Sequence, residues 1–402
     1  MRLRLAPTGS ARRKLLRSML SRFPFIGESW LLPRVVGYFE KGPMWPWYRR
    51  LFAKREARRI NRAIDSGTKH VSLVYDCGVC PLAFGDYLQF VMIMRFLGER
   101  GVGATLYVLD SDIYPSFRSR MSDKKIEESL QGMIEIATSL LSYPEVQAKR
   151  VDDLEEVMQL AKLQDVYVVC AWRTRNRRPL FHHGFNIFNH LMASASSELQ
   201  DRVLLSISDL AHMLPTASVP SPCVTWGVRY SLDNDPSRNL TDEEFLGVQE
   251  ILRNRHPSHT ILVVSDEAGC QYYSKLVREN GLKDTVFSKD YSPNILGDAA
   301  LILQSDLYYV LRGGGISVVP WMSRLPYRTV IHTIHENLWN AEQLTSWQGP
   351  MQVHANGHDL DSARATLMDG QPSRRDRYRR CFRSAQQRGT TDSRSQPVGL
   401  GV

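Results

Sequence analysis

A chain of 402 residues, 43% hydrophobic and 23% charged, has ordinary globular composition and enough length for two domains rather than one. The net charge of +9 belongs to the ends. Residues 1–60 hold 15 lysines and arginines against 3 acids, residues 370–402 hold 8 against 2, and the body between them is net negative. No apolar run reaches the ~20 residues a bilayer-spanning helix needs, no apolar segment of signal-peptide length opens the chain, and six cysteines are too few for a disulfide scaffold; a cytoplasmic protein, peripheral at most to a membrane, is expected.

Residues 1–68 read as a basic, aromatic, helical lead-in. Arg12, Arg13, Lys14, Arg17 and Arg22 interleave with Leu15, Leu16, Met19, Leu20, Phe23 and Phe25, and Trp30, Trp45, Trp47 and Tyr48 follow. That mixture suits an anionic membrane surface contacted through residues 1–60, and equally a helix packed on the body with a solvated basic face. A nucleic-acid partner is not expected, because no binding-module signature appears.

Apolar strand runs then alternate with helical patterns. Strands are predicted at 70–75, 104–109 and 166–171, with helices at about 87–100, 121–142 and 151–163 between them, giving a first domain over 69–215. The stretch 172–220, with its arginines, His182, His183, His190 and a proline-rich end, reads as irregular. Alternation resumes with strands at 223–229, 260–265, 285–288, 306–311 and 328–333 and helices at 241–254, 268–280, 294–304 and 317–323, a second domain over 216–345. Residues 346–402 read as a returning segment and a disordered basic tail. The fold class predicted is α/β: two doubly wound Rossmann-like domains facing a cleft, with ligands at the carboxyl ends of the strands.

Several residues at those ends can carry chemistry. Cys77-Gly78-Val79-Cys80 has redox-pair spacing, but a second loop segment precedes the helix and no further ligands complete a zinc site, so structural thiols are expected. In Phe84-Gly85-Asp86-Tyr87-Leu88 a glycine turn opens a helix; Asp86 reads either as the helix cap or as a carboxylate placed to take a proton from a hydroxyl. Asp110-Ser111-Asp112 has the spacing of a metal motif and reads as a loop with two solvated acids. In the second domain Arg229 ends the first strand. Ser265 and Asp266 end the next, able to contact a base or ribose or to cap the following helix. The strand 306–311 runs into Arg312-Gly313-Gly314-Gly315-Ile316-Ser317. Glycines that let the backbone approach a ligand, the first N–H groups of a helix and a planar guanidinium together suit a diphosphate. The same loop also reads as a tight strand–helix turn with no ligand.

With those residues in view, the layout over roughly residues 70–345 resembles the two-domain glycosyltransferases of the GT-B fold, closest to the heptosyltransferase-like and fucosyltransferase-like branches. Gly85-Asp86-Tyr87-Leu88 is similar to the heptosyltransferase turn whose aspartate is the catalytic base. Arg312-Gly313-Gly314-Gly315-Ile316-Ser317 is similar to the loop that holds the donor diphosphate, and Arg229 stands where the fucosyltransferase-like branch keeps an arginine. The paired arginines of many fucosyltransferases and the Asp-Thr-Gly of heptosyltransferases are absent. The resemblance implies transfer of a sugar from a nucleotide-sugar donor to a hydroxyl of a glycan or lipid-linked glycan. Asp86 would act as base, with Arg229, Ser265, Asp266, Arg312, Gly313, Gly314, Gly315 and Ser317 at the donor, and no metal or other cofactor. A pyruvyltransferase-like enzyme and a non-enzymatic anion- or membrane-binding protein on the same scaffold are the alternatives.

Overall fold

The computed structural model describes residues 45–77, 82–110, 121–151, 167–170, 184–214, 219–230, 239–311, 315–330 and 352–354. The first half runs α1 (Trp45–Asp65), β1 (His70–Asp76), α2 (Phe84–Glu99), β2 (Gly103–Leu109), α3 (Asp123–Leu140), β3 (Val146–Val151), β4 (Tyr167–Cys170), α4 (Gly184–Ser194) and α5 (Ser197–Val203), with a 3-10 turn at Ile207–Met213. The second half runs β5 (Cys223–Val228), α6 (Asp242–Arg255), β6 (Thr260–Val264), α7 (Glu267–Glu279), β7 (Thr285–Phe287), α8 (Ile295–Leu303), β8 (Leu307–Leu311), a 3-10 turn at Gly315–Ser317, α9 (Val318–Trp321), β9 (Tyr327–Val330) and β10 (Gln352–His354).

Two all-parallel sheets result, ordered β3-β2-β1-β4 and β10-β9-β8-β5-β6-β7. Counted within its own half, the second sheet has the order 3-2-1-4-5-6 of dinucleotide-binding sheets, and the first has the opening 3-2-1-4 of the same series. In each sheet the strand order reverses once, between β1 and β4 and between β5 and β8, and open α/β sheets bind ligands beyond the carboxyl ends at such a reversal. The α/β reading with two Rossmann-like sheets therefore holds.

Local chemistry explains the elements. β2 is buried along its whole length and β1 from Val71 to Asp76, as parallel strands covered on both faces require. Ser122, Thr241, Asp266 and Asn294 cap α3, α6, α7 and α8 through their side chains, each accepting a backbone N–H. In α3 the buried Ile126, Leu130, Met133, Ala137 and Leu140 make a single stripe. In α2 every residue from Tyr87 to Leu97 is buried, because the helix packs on β1, β2, α3, α4 and α5 on one side and on the 315–322 segment on the other. Its one buried cation, Arg95, pairs with Asp209 at 2.8 Å and donates to the Arg202 carbonyl at 3.0 Å.

The second sheet carries two separate packings. One face (Val224, Trp226, Val228, Ile261, Val263, Tyr309) lies under α6 and α7, where Phe245 stacks on Trp226 at 4.8 Å and on Tyr273 at 4.4 Å between ring centres. The other face (Leu262, Val264, Tyr308), with α8 and α9, joins the core of the first half without a break. Leu205 donates its N–H to the Met322 carbonyl at 2.7 Å, and Arg324 pairs with Asp201 at 2.5 Å across the same seam.

Some elements differ from the sequence reading. The stretch 172–220, read as irregular, holds α4, α5 and the 207–213 turn. Val146–Val151, too polar to read as a strand, is an edge strand with Gln147, Lys149 and Arg150 exposed. β10 comes from residues 352–354, past the 345 boundary drawn from the sequence. The helix predicted at 317–323 is a four-residue α9 preceded by the 3-10 turn, so its dipole is small. The predicted helix at 151–163 lies outside the described residues apart from Val151, which is strand; the basic stretch 10–26, His182 and His183 lie outside them too.

Candidate functional site

The two strand-order reversals face each other. From the first sheet, the chain leaves β1 and enters α2 at Phe84, so Gly85 and Asp86 are the second and third residues of that helix. From the second sheet, the chain leaves β8 and returns at the 3-10 turn Gly315–Ser317. A Cβ built on Gly85 would stand 2.6 Å from the Gly315 carbonyl oxygen and 2.9 Å from Val318 Cγ2, and one built on Gly315 would stand 3.2 Å from the Gly85 nitrogen. The helix start and the turn thus meet backbone to backbone, at a distance only glycine permits.

Asp86 is half-buried in the first turn of α2, where helix N–H groups favour a negative charge. It is not the cap: that position belongs to Ala83, whose side chain makes no capping bond. The tight turn expected at Gly85 is likewise helix, and the glycine serves close approach instead.

Arg229 stands one residue past β5, half-buried, with Nη1 donating to Asn239 Oδ1 at 3.1 Å. Register pairs Val228 with Leu311, so Arg229 and Arg312 each follow the last paired residue of adjacent strands. Arg312, Gly313 and Gly314 themselves lie outside the described residues. Asp266 caps α7, its Oδ1 accepting from the Gly269 N–H at 2.7 Å. Ser265 is buried with its hydroxyl unpartnered among the described residues, under Gly269, where a Cβ would fall 2.1 Å from Ser265 Oγ. Ser317 is 2% exposed, and its Oγ lies 3.2 Å from the Tyr308 hydroxyl. The structure thus brings Gly85 and Asp86 to the Gly315–Ser317 turn, and places Arg229, Ser265 and Asp266 at the ends of β5 and β6.

Tyr308 and Gly227 were not singled out by the sequence. The signal for one of them was present: a glycine inside the strand run CVTWGV marks a close approach. A Cβ at Gly227 would lie 1.9 Å from the Tyr308 hydroxyl.

Other candidates resolve differently. Asp110, read as a solvated acid, has a side chain only 7% exposed and pairs with Arg150, which also holds Glu127 at 2.5 Å. Asp112 lies outside the described residues. Cys77 is buried, and burial, with Asp110 nearby, pushes its thiol up to about 12, so it carries no thiolate at neutral pH. Its partner in the CxxC spacing, Cys80, lies outside the described residues. Among the described residues no group of three or more histidine, cysteine or acidic side chains is placed to hold a metal ion. No helix among them is long and apolar enough to cross a membrane.

No family model and no curated protein matches the chain. Among solved structures it is similar to the spinosyn rhamnosyltransferase SpnG in complex with spinosyn aglycone, at 11% identity over 74% of this chain and 92% of that one, with a TM-score of 0.36. It is similar to a putative UDP-N-acetylglucosamine 2-epimerase from Listeria monocytogenes, at 11% identity over 84% of this chain and 100% of that one, TM-score 0.32. It is also similar to POFUT1 in complex with GDP, at 10% identity over 72% and 99%, TM-score 0.31. At these TM-scores the likeness is too distant to bear on function.

Proposed function

We propose that the chain is a GT-B-like glycosyltransferase that moves a sugar from a nucleotide-sugar donor to a hydroxyl of a glycan or lipid-linked glycan without a metal. One observation carries the reading: the start of α2 and the 315–317 turn, at the two strand-order reversals, abut at Gly85 and Gly315, so a carboxylate from one half and a glycine turn from the other share one place. In this reading Asp86 takes the proton of the acceptor hydroxyl as its oxygen bonds to the anomeric carbon and the bond to the diphosphate breaks. The charge left on the diphosphate is met by Arg229, Arg312 and the backbone N–H groups of Gly313, Gly314 and Gly315. Asp266, which caps α7, and Ser265 stand toward the base or ribose of the nucleoside. Ser317 holds the turn rather than the ligand.

The continuous core bears on how the site works. A site between two halves that share buried apolar side chains excludes water by its standing structure, with less reliance on a wide hinge. The lead-in supports contact with an anionic membrane surface through charge. In α1 the apolar side (Ala53, Ala57, Ile60) is spent on the protein, while Lys54, Arg55, Arg58, Arg59 and Arg62 are exposed.

The test is a thermal-shift panel of GDP, UDP, ADP and CMP on the wild type and on Arg312→Ala, followed by turnover of Asp86→Asn with the nucleotide-sugar the panel selects. One diphosphate at 100 times its dissociation constant is expected to add about 2.7 kcal/mol of stability to the wild type and less to the variant. Asp86→Asn is expected to lower kcat by about 10²- to 10⁴-fold. Full turnover in that variant removes Asp86 from the base role, and no stabilisation by any of the four nucleotides overturns the donor site.

A further inference from the structure

We propose that Tyr308 is a positioning residue for the donor site: its hydroxyl, seated against Gly227, holds the Gly315–Ser317 turn through Ser317 and so sets the affinity for a nucleoside diphosphate. The inference rests on the donor reading above and names the group that keeps the turn in a binding shape.

Tyr308 is fully buried on the face of the second sheet that joins the first half, where Leu262 and Val264 are apolar and the Thr225 hydroxyl is already paired with Ser305. Phenylalanine would fill that space without placing a hydroxyl in it. The hydroxyl reaches across to β5, where Gly227 leaves room: a Cβ there would fall 1.9 Å from the phenol oxygen and 2.7 Å from Cζ. Nine residues further on, Ser317 Oγ lies 3.2 Å from that oxygen, and Ser317 is itself 2% exposed. The Ser317 hydroxyl does not cap α9, although Ser317 occupies the cap position. Burial raises the phenol above its ordinary range, so it stays protonated and able to donate. The turn is therefore gripped from two sides, by Gly85 through backbone contact and by Tyr308 through one buried hydrogen bond. A turn that presents its N–H groups to an anion loses affinity as it gains conformations, because binding must then order it.

The test compares wild type, Tyr308→Phe, Ser317→Ala and the double variant by calorimetric titration with GDP and UDP. Amide exchange over residues 315–319 is followed in each without ligand. Each single variant is expected to weaken the diphosphate by about three- to tenfold, the range one neutral hydrogen bond carries. The double variant is expected to lose no more than the worse single one, since both changes break the same bond. Exchange at 315–319 is expected to speed up in Tyr308→Phe while amides of β6 and α7 keep their wild-type rates. Wild-type affinity in Tyr308→Phe, or losses that multiply in the double variant, overturns the proposal. If the wild type binds neither diphosphate and none of the four nucleotides of the thermal-shift panel stabilises it, the donor reading and this assignment of affinity fall together. Faster exchange at 315–319 in that case shows Tyr308 bracing a turn that has no ligand, and unchanged exchange removes the brace as well.

Discussion

At Gly85 a single hydrogen in place of a methyl group decides how near the two halves come. By helix propensity alone, alanine within α2 would be favoured by about 1 kcal/mol. Here its Cβ would meet the carbonyl oxygen of Gly315 at 2.6 Å, and backbone cannot swing aside as a long side chain can. Gly85→Ala is therefore expected to lower the urea midpoint against the propensity trend. It should also cut turnover by about 10²-fold if the shift reaches 1 Å at the reacting atoms. A variant both more stable and fully active would mean that the contact is slack. This residue was legible as special from its place after β1, but its reason was not. A turn and a close approach ask for the same glycine, and only the position of Gly315, 230 residues away, separates them. Asp110 shows the opposite limit: its partner Arg150 lies on a strand that the sequence hid, so a buried carboxylate paired with an exposed arginine looked like a solvated loop.

Among the elements, continuous apolar runs gave β1, β2, β5, β6 and β8 nearly to their ends, because a strand covered on both faces must be apolar throughout. β3 escaped because an edge strand keeps its polar side. α4 escaped because it follows a run of arginines and histidines, and α5 because it is only seven residues long. The β1–β2 pair carries its own pH response. His70 opens β1 with Nε2 3.0 Å from Thr105 Oγ1 on β2, and burial, only partly offset by Glu145, holds its imidazole below the ordinary value of 6.5. The unfolded chain then binds the proton more readily, so this contribution is intact above pH 6.5 and is lost as pH falls through the lower folded value. Urea midpoints at pH 7.5 and pH 5.5 are expected to fall further for the wild type than for His70→Gln. Equal falls would assign the loss to other groups. On α1, with its apolar side already buried, binding to vesicles of anionic lipid is expected to vanish between about 0.1 and 0.5 M salt, where screening tightens from roughly 10 Å toward a few ångströms. Salt-resistant sedimentation would point to apolar insertion by some other segment.

For the whole molecule, the sequence made the two-sheet plan legible through the alternation of its elements, while the join between the sheets was not. Nothing in the apolar pattern of α2 says that one side of it meets the sheet it follows and the other meets residues more than 200 positions later. Because that packing is continuous from Val71 to Tyr327, unfolding is expected as one cooperative transition by both near- and far-ultraviolet circular dichroism. Two separated transitions would show that the halves melt independently.

The shared face also governs how such a chain can be recombined. Cut within the proline-rich stretch before β5, the second half would lay bare the sides of α8 and α9 that meet the 207–213 turn and α2. A graft onto a foreign first half would have to supply matching shapes for both of them, and a glycine opposite Gly315. Exchanging halves, simple where domains touch lightly, would here require transplanting α2 along with the second half.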